Sequence, residues 1–322
     1  MKPTNKMPYA NILLPLKLGS ALPELTYGIP SELQGKIEAG MAVRVPVRNR
    51  VYTGIVTKIH EQGLGQELKT AVKNILSTKE GGSVLEPWQI ELTEWISAHY
   101  FTPFYKVLKL MLPERLWNRR RERSERPSKN VPPRRDTLSS KTLTPEQRHI
   151  VQAILAAGPS EPRQSAQKFL IHGVTGSGKT EIYLQLAQAM AKQEKQTLLL
   201  VPEIALTPQL IHYFTESFEG KTAVLHSQLS PVEREEEWWK IQNRTATVVI
   251  GSRSTIFAPV KNLGLIILDE EHETSYKQDQ TPYYHARDVA FKIAELTGAK
   301  VVLGSATPSL ETMYATLQAD KI

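Results

Sequence analysis

The stretch Gly173-Val174-Thr175-Gly176-Ser177-Gly178-Lys179-Thr180 decides how the rest of this sequence is read. It follows the pattern G-x-x-x-x-G-K-[ST], in which glycines let successive backbone N–H groups turn toward a phosphate at a helix N-terminus while the lysine supplies a positive charge. Its surroundings have the form that the pattern requires. Lys168-Phe169-Leu170-Ile171-His172 reads as a short strand leading into the loop, and Glu181 to Glu194 reads as a helix leaving it, with apolar Ile182, Leu184, Leu186, Ala189 and Met190. Ninety residues after Lys179, an apolar run, Leu265-Ile266-Ile267-Leu268, ends in Asp269-Glu270-Glu271-His272. Together the two stretches predict an ATP site. Gly173, Gly176, Ser177 and Gly178 cradle the phosphates, Lys179 meets the β- and γ-phosphates, and Thr180 and Asp269 hold Mg²⁺. Glu270 is the candidate for orienting the attacking water, with a role limited to assisting magnesium as the alternative.

Outward from this pair, the chain from Leu143 onward alternates strands and helices, the signature of an α/β fold with a parallel sheet covered on both faces. Expected strands are Lys168–His172, Thr197–Val201, Thr222–Leu225, Thr247–Ile250, Leu263–Leu268 and Lys300–Leu303. Ligands of such sheets lie beyond the carboxyl ends of the strands. Thr180, Glu203, Ser252, Asp269 and Ser305 all fall at or just after those ends.

Upstream, residues 8 to 80 read as β-rich, with short apolar segments at Asn11–Leu18, Met41–Val47, Val51–Ile59 and Thr70–Leu76 punctuated by glycine and proline. Helical spacing follows over Glu86–Tyr100 and again around Tyr105–Leu112. The expectation is a small β-barrel-like domain closed by helices. Trp88, Trp95, Tyr100, Phe101, Phe104 and Tyr105 serve there either as core or as a platform for bases.

Of the 322 residues none is cysteine, which excludes a disulfide framework, a thiolate metal site and a cysteine nucleophile within them. No apolar run resembles a signal peptide or reaches the length of a membrane span, so the expectation is a cytoplasmic protein with no membrane partner. The net charge of +7 has a location: ten Lys or Arg against three acidic residues between Arg115 and Lys141 account for all of it. That segment also holds Pro127, Pro132 and Pro133 and reads as an extended connector, either merely solvated or touching nucleic-acid phosphates. The organisation expected is therefore a β-rich domain over 1–112, a basic linker over 113–141 and an ATP-binding lobe over 142–322.

The neighbours of the acidic strand end carry a resemblance. Asp269-Glu270-Glu271-His272 looks like the second motif of superfamily 2 helicases. The stretches Leu200 to Gln209, Gly251 to Pro259 and Gly304 to Thr312 resemble the corresponding motifs of the primosomal replication-restart helicases of the PriA family. Ser275-Tyr276-Lys277-Gln278 followed by Tyr284-His285-Ala286-Arg287-Asp288 resembles that family's aromatic-rich loop. Leu143-Thr144-Pro145-Glu146-Gln147 sits where such helicases contact adenine, with Gln147 the natural candidate. The match is dense over residues 143 to 317. Weaker likeness, at Ala42 to Val47 and Gly54-Ile55-Val56, is to the family's domain for gripping a 3′ DNA end.

The resemblance implies a RecA-like P-loop helicase lobe preceded by a small β-rich DNA-binding domain. It implies a 3′–5′ ATP-dependent DNA helicase of replication restart, using ATP and Mg²⁺, that recognises forked DNA and helps reload the replicative helicase. It puts Lys179, Asp269 and Glu270 in catalysis, and His272, Ser305 and Thr307 in coupling nucleotide state to DNA. Arg253, Ser254 and Thr255 then lie along a DNA strand, with Tyr276, Lys277, Tyr284, His285 and Arg287 in the loop that senses it. A surface ion pair is the alternative for Arg253, and packing under the loop the alternative for Tyr283 and Tyr284. Forked and single-stranded DNA are the expected partners, with other primosome proteins, single-stranded DNA-binding protein and the loader of the replicative helicase. Two other readings keep the motifs: a nucleotide- and DNA-binding fragment without turnover, and a different superfamily 2 translocase.

Three departures accompany the match. The family's winged-helix domain has no counterpart in the segment between Leu112 and Leu143. Pro282 stands where the loop is expected to hold tryptophan. The sequence stops at Ile322, soon after the third motif, so the expectation is a fragment with little activity of its own. The second lobe supplies the arginine finger, worth about 10³ to 10⁵ in rate. The family's zinc-binding cysteines also lie in that later region, and zinc is expected only there.

Overall fold

The computed structural model describes residues 8–16, 24–60, 72–117, 142–158 and 166–318. Residues 118–141, most of the segment read as a basic connector, lie outside the described residues. The chain forms two compact units, Met1–Arg121 and Glu122–Ile322.

In the first unit, strands β1 (Tyr9–Leu13), β2 (Glu24–Gly28), β3 (Met41–Val47), β4 (Arg50–His60) and β5 (Ser77–Ser83) form one sheet in the order β2-β1-β4-β3-β5, with antiparallel neighbours. Alternation of side chains puts Ala10, Ile12, Val43, Val45 and Val56 into one core with Tyr27 and Ile75. Where β1 crosses β4, the register shifts between Asn11 and Ile12. A Cβ at Gly54 would stand 2.4 Å from Ile12 Cγ2, so glycine permits that close approach. Two expectations shift here. Among the described residues, the segment around Ile75 contributes the bridge Gly28↔Asn74 and a hydrogen bond from Leu76 N to Arg44 O rather than a strand, and the closing strand begins at Ser77. The strand Glu24–Gly28 had no apolar run to announce it.

Helices α1 (Pro87–His99) and α2 (Phe104–Met111) follow, then a single turn, α3 (Glu114–Trp117). Gln89 Oε1 accepts from Glu86 N at 3.0 Å, closing the start of α1. The aromatics divide. Phe104 is core and Trp95 stacks on His99 at 4.7 Å, whereas Phe101 is 94% exposed at the turn between the helices.

The second unit begins with α4 (Pro145–Ala156) and holds a six-stranded, wholly parallel sheet in the order β6-β11-β10-β7-β9-β8. Its strands are β6 (Lys168–His172), β7 (Gln196–Leu200), β8 (Thr222–Leu225), β9 (Val248–Gly251), β10 (Leu263–Leu268) and β11 (Lys300–Ser305). Helices α5 (Lys179–Lys192), α6 (Pro208–Ser217), α7 (Pro231–Gln242), α8 (Ala286–Thr297) and α9 (Leu310–Gln318) alternate with them. β10 runs Leu265-Ile266-Ile267-Leu268 at 0% exposure throughout, the unbroken apolar run of a strand covered on both faces. Each such side chain contributes about 1.5–3 kcal/mol on burial. Ile182, Leu186 and Met190 of α5 complete that core on one face. The fold is the α/β class expected, and every predicted strand of this unit is present within one or two residues of its expected ends. Among the described residues no helix is long and apolar enough to cross a membrane.

Candidate nucleotide site

A parallel sheet brings the carboxyl ends of all its strands to one edge, and the loop after β6 forms the first part of the site there. Gly173 N donates to Ser305 O at 3.0 Å, fastening the loop to the end of β11. Gly176 (φ 82°) and Gly178 (φ 84°) take the left-handed conformation that glycine alone adopts without strain. Gly178 is also the N-cap of α5, and no side chain caps that turn. The first N–H groups of the helix therefore point into the loop as donors for an anion. Lys179 is 8% exposed, with its Nζ donating to Gly173 O at 2.8 Å and lying 3.7 Å from Glu270 Oε1. Thr180 is half-buried in the first turn. Gln147 uses both ends of its amide: Oε1 accepts from Thr144 N at 3.0 Å and Nε2 donates to Ser177 O at 2.9 Å. It thus caps α4 and ties that helix to the phosphate loop.

The second part is the acidic turn after β10. Asp269 N donates to Leu200 O at 2.9 Å, and Asp269 Oδ1 accepts from the Tyr183 hydroxyl at 2.8 Å. Burial pushes the Asp269 carboxyl above the usual range, partly offset by the Tyr183 hydrogen bond. Glu270 takes φ 47°, a conformation that costs a non-glycine residue on the order of 1–3 kcal/mol and persists only where the surroundings enforce it. They do so here. Asp269 N is held by Leu200 O, and Glu271 N donates to Gly304 O at 3.0 Å, pinning the turn from both sides.

His272 and Ser305, paired in the sequence reading as coupling residues, meet: Nδ1 and Oγ are 2.7 Å apart. Ser305 Oγ also accepts from Thr307 N at 3.1 Å, so the three form one chain. His272 Nδ1 lies 3.7 Å from Glu270 Oε2 as well.

The expected DNA-facing residues sort differently. Arg253 Nη1 donates to Ser275 O at 2.7 Å and to Lys277 O, and its guanidinium lies 5.9 Å from the Tyr284 ring centroid. Part-exposed, it staples the loop after β10 rather than forming a surface ion pair. Thr255, Tyr276 and Tyr284 are buried, at 0%, 1% and 2% exposure, so their side chains shape the loop from inside. Tyr276 OH lies 3.0 Å from Leu200 O and 2.7 Å from Asp269 O, and Tyr284 packs edge-on against Phe257. Ser254, Lys277 and Tyr283 are exposed, and Lys277 Nζ donates to Tyr283 O at 2.7 Å. His285 caps α8, its Nδ1 accepting from Arg287 N at 3.2 Å; burial holds its imidazole below the usual range.

Arg287 departs furthest from a DNA-facing role. Its Nη1 donates to Glu271 Oε2 at 3.2 Å, Ser309 Oγ at 2.8 Å and Thr312 Oγ1 at 3.0 Å. Glu271 has no side-chain exposure and also accepts from Ser309 N at 2.7 Å. This buried cluster ties the acidic turn to the starts of α8 and α9, and sequence reasoning passed over Glu271, Ser309 and Thr312. It also passed over Tyr183. The available signal was a hydroxyl-bearing aromatic among the core residues of α5, since buried tyrosine needs a hydrogen-bond partner.

Residues 144–316 match the model of the DEAD/DEAH box helicases, and residues 11–113 match that of a 3′DNA-binding domain. The chain is 50% identical over 190 residues to the replication restart protein PriA of Bacillus subtilis, covering 58% of this chain and 23% of that protein. It is 32% identical over 377 residues to the PriA of Chlamydia trachomatis, covering 94% of this chain and 49% of that one. The chain thus spans about half the length, or less, of these curated relatives. The structure of RecG bound to a three-way DNA junction is similar at 24% identity and TM-score 0.41, over 56% of this chain and 23% of that one. With its RecA-like lobe preceded by an antiparallel unit that matches a 3′DNA-binding domain, the chain belongs to the DEAD/DEAH box helicase family and is similar within it to the replication restart proteins PriA.

Proposed function

We propose that this chain carries the ATP-binding lobe and the DNA-end-binding unit of an ATP-dependent 3′–5′ DNA helicase of replication restart, acting on forked DNA and helping reload the replicative helicase. The observation that carries the reading is the convergence of Lys179, Asp269, Glu270 and the His272–Ser305 pair on one sheet edge beside an uncapped helix N-terminus.

In this reading the backbone donors of Gly176 to Thr180 and the Lys179 ammonium hold the triphosphate. Thr180 and Asp269 would hold Mg²⁺. The fit rests on the donor set: the Asp269 carboxylate and the Thr180 hydroxyl are the oxygen ligands that magnesium takes. A magnesium ion held by these residues would supply charge neutralisation for the phosphates. Lys179 now lies against Glu270 and Gly173, and it would exchange those partners for phosphate oxygens. Glu270 would then be released to orient the attacking water. His272, Ser305 and Thr307 form a continuous path from Glu270 to the segment after β11, which suits them to report nucleotide state. Exposed Ser254, Lys277 and Tyr283 are the groups on the neighbouring loops open to a DNA strand, with Arg253, Thr255, Tyr276, Tyr284 and His285 holding those loops in shape.

The test is ATP hydrolysis by this chain with and without forked DNA. Slow turnover accelerated by DNA is expected; equal rates in both conditions would contradict coupling. Comparing forks with a free and a blocked 3′ end tests residues 11–113, and equal affinity for both would contradict 3′-end recognition.

A further inference from the structure

Tyr183 lies on α5, four residues after the phosphate-loop lysine, and is 1% exposed. Its hydroxyl donates to Asp269 Oδ1 at 2.8 Å, so the helix that begins at the phosphate loop reaches across to the acidic strand end. The approach is possible because of Gly304. A Cβ there would stand 1.7 Å from the Tyr183 oxygen and 3.2 Å from Asp269 Oδ1. Gly304 has an ordinary backbone conformation within β11, so the absence of a side chain, rather than a special turn, is what the position requires.

We propose that Tyr183 is a positioning residue for the Asp269 carboxylate, fixing its orientation toward the nucleotide's magnesium, and that Gly304 is glycine to admit the tyrosine hydroxyl. The proposal rests on the nucleotide reading above and extends it to a residue outside the motifs. A hydrogen bond from an adjacent, immobile donor sets a ligating carboxylate's direction before the metal arrives, and loss of such a partner typically weakens metal affinity 10- to 100-fold. Removing the hydroxyl leaves the ring's packing against α5 and the sheet in place. The metal-dependent part of nucleotide binding should therefore suffer while the remainder stays.

The experiment titrates Mg²⁺ into the protein with a fluorescent ATP analogue, comparing the unaltered chain with Tyr183→Phe, and measures analogue affinity without metal in parallel. A rise of about tenfold in the Mg²⁺ midpoint with unchanged metal-free affinity is expected. An unmoved midpoint, or an equal loss of affinity with and without Mg²⁺, would overturn the positioning role. If the unaltered chain shows no Mg²⁺-dependent binding, the nucleotide reading itself fails. A second comparison reads the pairing with Gly304 by thermal melting. Gly304→Ala should lower the melting temperature, and Tyr183→Phe added to it should recover part of the loss. A double variant that melts no higher than Gly304→Ala alone would also overturn the proposal.

Discussion

Two sheets of nearly equal size, five strands and six, make different use of their edges. In the helicase lobe every strand runs the same way, so the polar residues that follow β6, β7, β9, β10 and β11 collect at a single edge, beside the start of α5. In the N-terminal unit neighbouring strands run oppositely, so successive strand ends fall on opposite edges, and among the described residues no comparable collection forms. Its apolar positions alternate to make one core, and Phe101, an exposed aromatic among the described residues, sits at a helix turn rather than a strand end. Strand direction thus decides whether a sheet assembles chemistry at its rim or offers faces and turns for binding. Because the chain divides into two compact units, they should fail separately.

The largest effect expected from breaking one and sparing the other is on stability. Arg287→Ala leaves Glu271 buried with hydroxyl and amide donors but no cation, which should destabilise the lobe by about 3–5 kcal/mol. Melting of the N-terminal unit, followed by hydrogen exchange at its strands, should not move. A joint loss would mean that the units unfold as one. Next in size, Lys179→Ala should weaken nucleotide binding about a hundredfold, roughly 2.7 kcal/mol, while DNA binding by residues 1–105 is retained. Parallel loss of both in an equilibrium binding assay would contradict separability.

A smaller effect depends on pH. The His285 imidazole is held below its unfolded value, so the folded lobe prefers it neutral; that stability is present above about pH 6.5 and is lost as pH falls through the lower folded value. Protonation also removes the acceptor that caps α8, a contribution of about 1 kcal/mol. His285→Asn, which keeps an acceptor without the titration, should flatten the decline of melting temperature with acid for the lobe alone. An identical decline in both proteins would assign the pH dependence elsewhere. The smallest effect concerns the segment between the units. Replacing arginines between Arg119 and Arg135 should flatten the salt dependence of DNA affinity by about 0.7 per lost single-strand phosphate contact. An unchanged slope would make that segment a connector only.

The lobe was legible in the sequence because its signals are local. A glycine turn between a strand and a helix, and an apolar run ending in acids, are each complete within about ten residues. What stayed hidden depends on who faces whom. Arg253, Tyr276 and Arg287 are polar or aromatic residues in loops, which reads as surface, yet the fold turns all three inward onto backbone carbonyls or a buried carboxylate. The link from Tyr183 to Asp269 spans 86 positions and has no pattern of its own. In the N-terminal unit the strand Glu24–Gly28 carries too few apolar residues to announce itself, and pairing with β1 makes it a strand. The aromatic run around Phe101 mixes core and surface because helical spacing fixes which face a residue occupies only once the neighbouring helix is known.

The claim beneath all of this is that a nucleotide triphosphate occupies the carboxyl edge of the parallel sheet, between the Gly173–Thr180 loop and Asp269. A crystal structure of the chain with a non-hydrolysable ATP analogue and Mg²⁺ tests it directly. The account predicts phosphate density within hydrogen-bond distance of the Lys179 ammonium and the first N–H groups of α5, with Glu270 parted from Lys179. Analogue bound elsewhere, or a loop that keeps Lys179 on Gly173 and Glu270 at saturating nucleotide, would contradict it.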